Sequence, residues 1–248
     1  MYFVGVDLAW GEKRPTGIAV LDDGGRLVHV SAQGDDASIV SALAPYVDGP
    51  CLVAVDAPLV VTNATGNRPA EAALNRDFAR FEAGAHPANT ARPEFSRIPR
   101  AARLATALDL DVDPRSSSPR RAIEVYPHPA TVALFRLGRT LKYKDKPGRR
   151  LEQLRTELLR LVRMVEGLAE SSPPMHVAGH PPWQELVRQV ESAARKSDLR
   201  RAEDQVDAVV CAYVALWAER RPELTTTYGD AGTGFIVTPT LPADLLPE

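Results

Sequence analysis

Apolar residues come in short runs through the first sixty positions, each closed by polar or turn-forming residues. "MYFVGVDLAW" holds Phe3 to Val6, "TGIAVLDD" and "RLVHVSAQ" follow, and "CLVAVDAPLVV" holds Leu52 to Val55. Runs of this length and make-up predict strands. The "DDGG" between the second and third predicts a hairpin turn. "ASIVSALAPYV" instead spaces its apolar residues three and four apart, as a helix does. The resulting order is β-β-β-α-β, and the helical crossover lets the first and fourth strands pair in parallel.

The pattern then changes. Residues 62–121 are crowded with arginine, proline and small residues, and read as an inserted helical and loop segment within one domain spanning 1–248. "PAEAALNRDFARF" and "RAARLATALDLD" are its helix candidates. "AIEVYPHPATVALFRL" gives a fifth strand ending near Tyr126 and a helix starting near Pro129. After the basic loop "GRTLKYKDKPGRR", Leu151, Leu154, Leu158, Leu161, Val162 and Val165 fall on one helical stripe. "PPWQELVRQVESAAR" and "EDQVDAVVCAYVALWAERR" predict two more helices, the second apolar nearly all round. "GTGFIVTP" predicts a late edge strand. The fold class expected is α/β: a mixed sheet of three antiparallel strands followed by parallel ones, flanked by helices.

Two of the strands end in an aspartate. Asp7 follows Phe3–Val6 and Asp56 follows Leu52–Val55, with Pro58 barring ordinary ladder continuation. A carboxylate there is costly unless it is paired, solvated or bound to a cation. If the two strands are neighbours, both acids lie at one sheet end, where open α/β sheets bind ligands. The last helix adds Glu203, Asp204 and Asp207. Asp204 and Asp207, three apart, share a helix face. Placed in a first turn they would serve the helix dipole and cap; placed beside Asp7 and Asp56 they would form an acidic cluster. Such carboxylates, converging without basic partners, repel, and a divalent cation with hard oxygen ligands, Mg²⁺ or Mn²⁺, relieves this.

Composition narrows the partners. The 248 residues are 44% hydrophobic and 25% charged with a net charge of −2, so nucleic-acid affinity would have to come from a local basic face. Seven arginines from Arg92 to Arg121, and seven lysines and arginines from Arg136 to Arg150, supply candidates. No run of eighteen apolar residues predicts a membrane span. Cys51 and Cys211, both in apolar surroundings, read as buried thiols suited to a reducing cytoplasm.

The strand-borne "VGVD" and "VAVD" with "DQVD" on a late helix resemble the ribonuclease H-like superfamily, and its resolvase branch in the acidic pattern. More narrowly, "VGVDLAW", "VAVDAPLVV", "GAHPAN", "EVYPHPATVALF" and "EDQVDAVVCAYVALWA" resemble the domain-of-unknown-function family numbered four-two-nine, regarded as predicted nucleases of that superfamily. The resemblance implies a metal-dependent nuclease acting on DNA or RNA, with Asp7, Asp56 and Asp207 as ligands of Mg²⁺ or Mn²⁺ and Asp204 as a fourth catalytic carboxylate of that set. A departure is that resolvases more often carry glutamate where Asp56 stands. Glu124 is a further catalytic candidate, against pairing with Arg120 or Arg121. Arg68, His86, His128, Lys142 and Lys144 are candidate substrate contacts, with Tyr143 a candidate base-stacking ring. Two other readings are a non-catalytic nucleotide or nucleic-acid binding module of the same fold, and an actin-like or sugar-kinase phosphotransferase. The latter repeats its fold twice, and one copy is visible here.

Overall fold

A computed structural model describes residues 1–11 and 14–245. Its centre is a five-stranded sheet in the order β3-β2-β1-β4-β5, built from β1 (Tyr2–Asp7), β2 (Thr16–Leu21), β3 (Leu27–Gln33), β4 (Cys51–Val55) and β5 (Arg120–Glu124). β1, β2 and β3 are antiparallel neighbours, while β4 joins β1 and β5 in parallel. This is the expected mixed sheet. The crossover from β3 to β4 is α1 (Asp36–Val47), whose N-cap Asp35 accepts a hydrogen bond from the Ser38 amide.

Strand parity decides what each face meets. Val6, Val53 and Val55 turn to the side of α1 and of α3 (Arg100–Ala107), sharing an apolar pocket with Ile39, Leu43 and Leu104. Gly5, one position from Val6, turns the other way, toward α7 (Lys196–Arg220). This 25-residue helix lies directly on β1 and β2. A side-chain carbon at Gly5 would stand 1.9 Å from the Ala208 carbonyl oxygen, and one at Gly17 the same distance from that of Asp204. Glycine is therefore what lets the helix backbone reach the sheet backbone. α5 (Leu151–Gly167) and α6 (Pro181–Glu191) pack on α7 and on each other. Trp183, fully buried, donates its indole N–H to Glu166.

The insertion between β4 and β5 holds α2 (Pro69–Phe78) and α3 and is fastened to the scaffold by two buried arginines. Arg100 donates to Asp36 at the start of α1 and to the carbonyls of Ala9 and Gly11 after β1. Arg68 is bound to β5. The helix after β5, α4 (Pro127–Phe135), begins two residues before the expected start. The expected late strand forms as β7 (Gly234–Pro239), but it pairs with β6 (Thr225–Asp230) in a separate hairpin. It touches the main sheet at one bridge, Val125 to Val237. Both cysteines are buried free thiols. No helix among the described residues is long and apolar enough to cross a membrane.

Candidate active site

The parallel pairing of β1 with β4 sets Val6 opposite Val55, so the next residues, Asp7 and Asp56, leave adjacent strand ends together. The Asp56 amide donates to the Val6 carbonyl, extending the ladder one step. Asp7 shares the parity of Gly5 and therefore points toward α7. There Asp207, fully buried, and Asp204, partly exposed, face it.

α7 starts at Lys196, well before the segment read as its opening. Asp204 and Asp207 thus belong to its third and fourth turns, beyond the reach of the terminal dipole. The capping role open to them in the sequence is taken by Asp198, whose side chain accepts from the Arg195 amide. Glu203, read as part of the helix start, is buried beside the acids instead.

The carboxylates do not meet without a basic partner, which corrects the sequence expectation. Lys144, from the loop after α4, places its ammonium 2.5 Å from Asp207 Oδ2, 3.5 Å from Asp7 Oδ2 and 3.8 Å from Asp204 Oδ1. The preceding Tyr143 is buried and donates its hydroxyl to Asp207 Oδ1 at 2.7 Å. That burial removes Tyr143 from the role of a base-stacking ring. Asp7, Asp204 and Asp207 pair with this ammonium, and Asp56 and Glu203 feel it only at longer range, so carboxyl groups outnumber the one cation. Burial, opposed by Lys144 and reinforced by Asp207 and Asp204, pushes the Asp7 carboxyl up to about 7. Burial and then the nearby Asp7 raise Asp56 well above the usual carboxylate range. Burial likewise carries Glu203 up to about 8.

Glu124 is held differently, although it lines one cleft with Asp56 and its charge adds to raising the Asp56 carboxyl. It pairs with Val55, not with Asp56, so its side chain leaves the opposite face of the sheet. Both of its oxygens accept from Arg68, at 2.9 and 2.5 Å, and one also accepts from the Leu59 amide. Arg68 further binds Glu71 and the Val60 carbonyl and is 1% exposed, so its guanidinium is engaged inside the protein. The expected neighbours of Glu124 are used elsewhere. Arg120 reaches Asp109 and the Leu108 carbonyl, and Arg121 reaches Glu219.

The remaining candidates border a polar cleft of about 80 Å³ that opens on Lys144. His128 lines it with Nδ1 3.1 Å from the Thr140 hydroxyl, its ring lying between Tyr126 and Tyr143. Burial lowers its pKa to about 4, which makes it neutral at physiological pH. Lys142 stands at the cleft with its ammonium on Glu82. His86, exposed, borders both this cleft and a second one of about 50 Å³ that holds Asp56, Trp10 and Tyr126.

A family model described as "Protein of unknown function (DUF429)" matches residues 5–232. The chain belongs to the DUF429 family. No curated protein and no solved structure matches it. The DUF429 match takes in every candidate residue, from Asp7 to Asp207.

A divalent cation can be tested against this site by its donor chemistry. As the side chains stand, no group of three or more His, Cys, Asp or Glu among the described residues is arranged to hold a metal ion. The Lys144 ammonium separates them. Both Asp207 oxygens are engaged, Oδ1 by the Tyr143 hydroxyl and Oδ2 by the Lys144 ammonium, while the Asp56 side chain makes no ion pair or hydrogen bond among the described residues. An all-carboxylate donor set of hard oxygens fits Mg²⁺ or Mn²⁺ in chemical type, with Lys144 holding the place between Asp7 and Asp207.

Proposed function

We propose that this DUF429 protein is a metal-dependent phosphodiesterase of ribonuclease H-like type that cleaves nucleic acid. The observation that carries the reading is the convergence of Asp7 and Asp56, from the ends of two neighbouring parallel strands, with Asp204 and Asp207 from the helix laid across them. Asp7, Asp56 and Asp207 would hold the ion. When bound, Mg²⁺ or Mn²⁺ supplies an activated water and charge stabilisation at the phosphoryl oxygens. Asp204, at the rim, accepts a proton or orients the water. Tyr143 fixes the Asp207 carboxylate through its hydroxyl. The basic side of the cleft, with Lys142, Lys146 and Arg149, draws the phosphate backbone toward the acids. Neutral His128 offers a hydrogen bond there and no charge. The two free thiols suit a reducing compartment such as the cytoplasm.

The test is a cleavage panel of single-stranded, duplex, hybrid and branched substrates with Mg²⁺ and with Mn²⁺, with Asp7→Asn as control. Cleavage by the native protein that Asp7→Asn loses is the expected result; no cleavage of any substrate with either ion refutes the reading. A second reading, a binding module without turnover, draws support from the ammonium already lodged among the carboxylates. It predicts nucleic-acid binding that weakens with salt, unaccompanied by cleavage.

A further inference from the structure

Lys144 places a positive charge between the carboxylates of Asp7 and Asp207. Its ammonium bridges β1 and α7 through Asp7 and Asp207, and no other ammonium or guanidinium among the described residues lies within ion-pair distance of either acid. The side chain is attached to a loop, not to a strand or helix. That loop is held from several sides. Tyr143 is anchored on Asp207, and Arg149 donates to the Lys144 carbonyl. Asp145 takes Lys196 at 3.1 Å and Arg200 at 2.9 Å from the start of α7. With the backbone around residue 144 held in this way, a displacement of the ammonium would have to come from rotations of its four-carbon stem. A lysine head is a compact point charge on a flexible stem, unlike the planar fork of arginine. The polar cleft bordered by Glu82 and His128 opens beside it, with room for that movement.

A divalent ion and an ammonium cannot share the same few ångströms, because their repulsion is steep at that separation. We propose that Lys144 is a tethered competitor for the divalent cation: it closes the seat between Asp7 and Asp207 in the metal-free protein. Loading turns its ammonium into the adjoining cleft, where it meets an anionic phosphate. The inference rests on the metal-dependent reading above and adds a residue that couples ion loading to phosphate binding. By linkage, each ligand then tightens the other.

Two measurements that need no catalytic activity test it. The first is calorimetric titration of Mn²⁺ into the native protein and into Lys144→Met. Removing the competitor is expected to tighten Mn²⁺ binding about tenfold or more. The second is acylation of lysines by a water-soluble reagent, read by peptide mass spectrometry in EDTA and in Mn²⁺, with exposed Lys146 as internal reference. Lys144 is expected to be protected in EDTA and labelled in Mn²⁺. Equal or weaker Mn²⁺ binding by Lys144→Met, or labelling of Lys144 that Mn²⁺ leaves unchanged, overturns the competitor. If neither folded protein binds Mn²⁺, the metal-dependent reading itself fails, a separate outcome. If the lone variant does not fold because three acids lose their counter-charge, Lys144→Met/Asp204→Asn is compared with Asp204→Asn. The same tightening is then required.

Discussion

Gly5→Ala puts the seating of α7 to a direct test. The new methyl would lie 1.9 Å from the Ala208 carbonyl oxygen and 2.3 Å from the Ala212 nitrogen, both backbone atoms of the helix. Ordinary carbon contacts begin near 3.4 Å. No rotamer change relieves a backbone clash, so the helix must withdraw by at least about 1 Å. A gap of that order forfeits about a quarter to a half of each dispersion contact along the seam. The seam is long, since Val206, Ala208, Val209, Ala212 and Tyr213 are all buried. Overpacking costs about 1–3 kcal/mol where side chains can adjust. With backbone on one side, about 3–5 kcal/mol is expected, a large share of the roughly 5–15 kcal/mol that holds a domain together. The same withdrawal carries Asp207 away from Asp7, so Mn²⁺ affinity should fall in whatever fraction stays folded. The assay is urea unfolding followed by circular dichroism. Gly49→Ala is the control, because a methyl there meets nothing within 4 Å. A Gly5→Ala loss no larger than that of Gly49→Ala would show that the helix does not rest on the β1 backbone.

Three further outcomes are expected. Arg68→Met leaves Glu124 and Glu71 buried without their cation and should cost about 3–5 kcal/mol, with part recovered in Arg68→Met/Glu124→Leu; a loss below about 1 kcal/mol on urea unfolding would count against the buried pair. Asp207→Asn should abolish Mn²⁺ binding and also lower metal-free stability by about 1–2 kcal/mol, because it withdraws the nearest partner of Lys144; a rise in the EDTA melting midpoint would mean that repulsion among the acids dominates. The metal-free protein should lose stability as pH rises, since folded Asp7 and Glu203 hold protons up to about 7 and about 8 while their unfolded forms release them near 4. Across that window the slope is negative, up to about 1.4 kcal/mol per pH unit per group, and Mn²⁺ should reverse it by favouring the ionised forms. An EDTA midpoint that climbs from about pH 5.5 to about pH 8 would contradict this sign.

The central sheet was legible because its strands are continuous apolar runs between turn residues, and two of those runs deliver Asp7 and Asp56. The start of α7 was not. Its first turns, from Lys196 to Arg201, are polar and turn only Leu199 inward, so the apolar stretch from Val206 onward marked the helix too late. That displacement made Asp204 and Asp207 look like caps. Lys144 was identifiable as a basic residue but not by its destination, since a loop has no periodicity and Asp7 lies 137 positions away. Glu124 has Arg120 and Arg121 as neighbours along the strand, yet its partner is Arg68, 56 positions earlier. Strand parity sends the Glu124 side chain off the face opposite Asp56, toward Arg68, and this shows only once the register with β4 is known. β6 escaped notice because "TTTYGD" has no buried face of its own and gains its order from β7.

The two arginine fastenings of the insertion bear on how far this chain could be shortened. Residues 62–119 look like an ornament that could be cut away to leave a minimal sheet and helices. Excision would remove Arg68 and strand Glu124 as a bare charge at the end of β5. It would also remove Arg100 and free the segment after β1 that leads away from Asp7. The insertion is thus a second foundation of the domain: the end of β5 and the segment after β1 keep their buried partners only while it is docked.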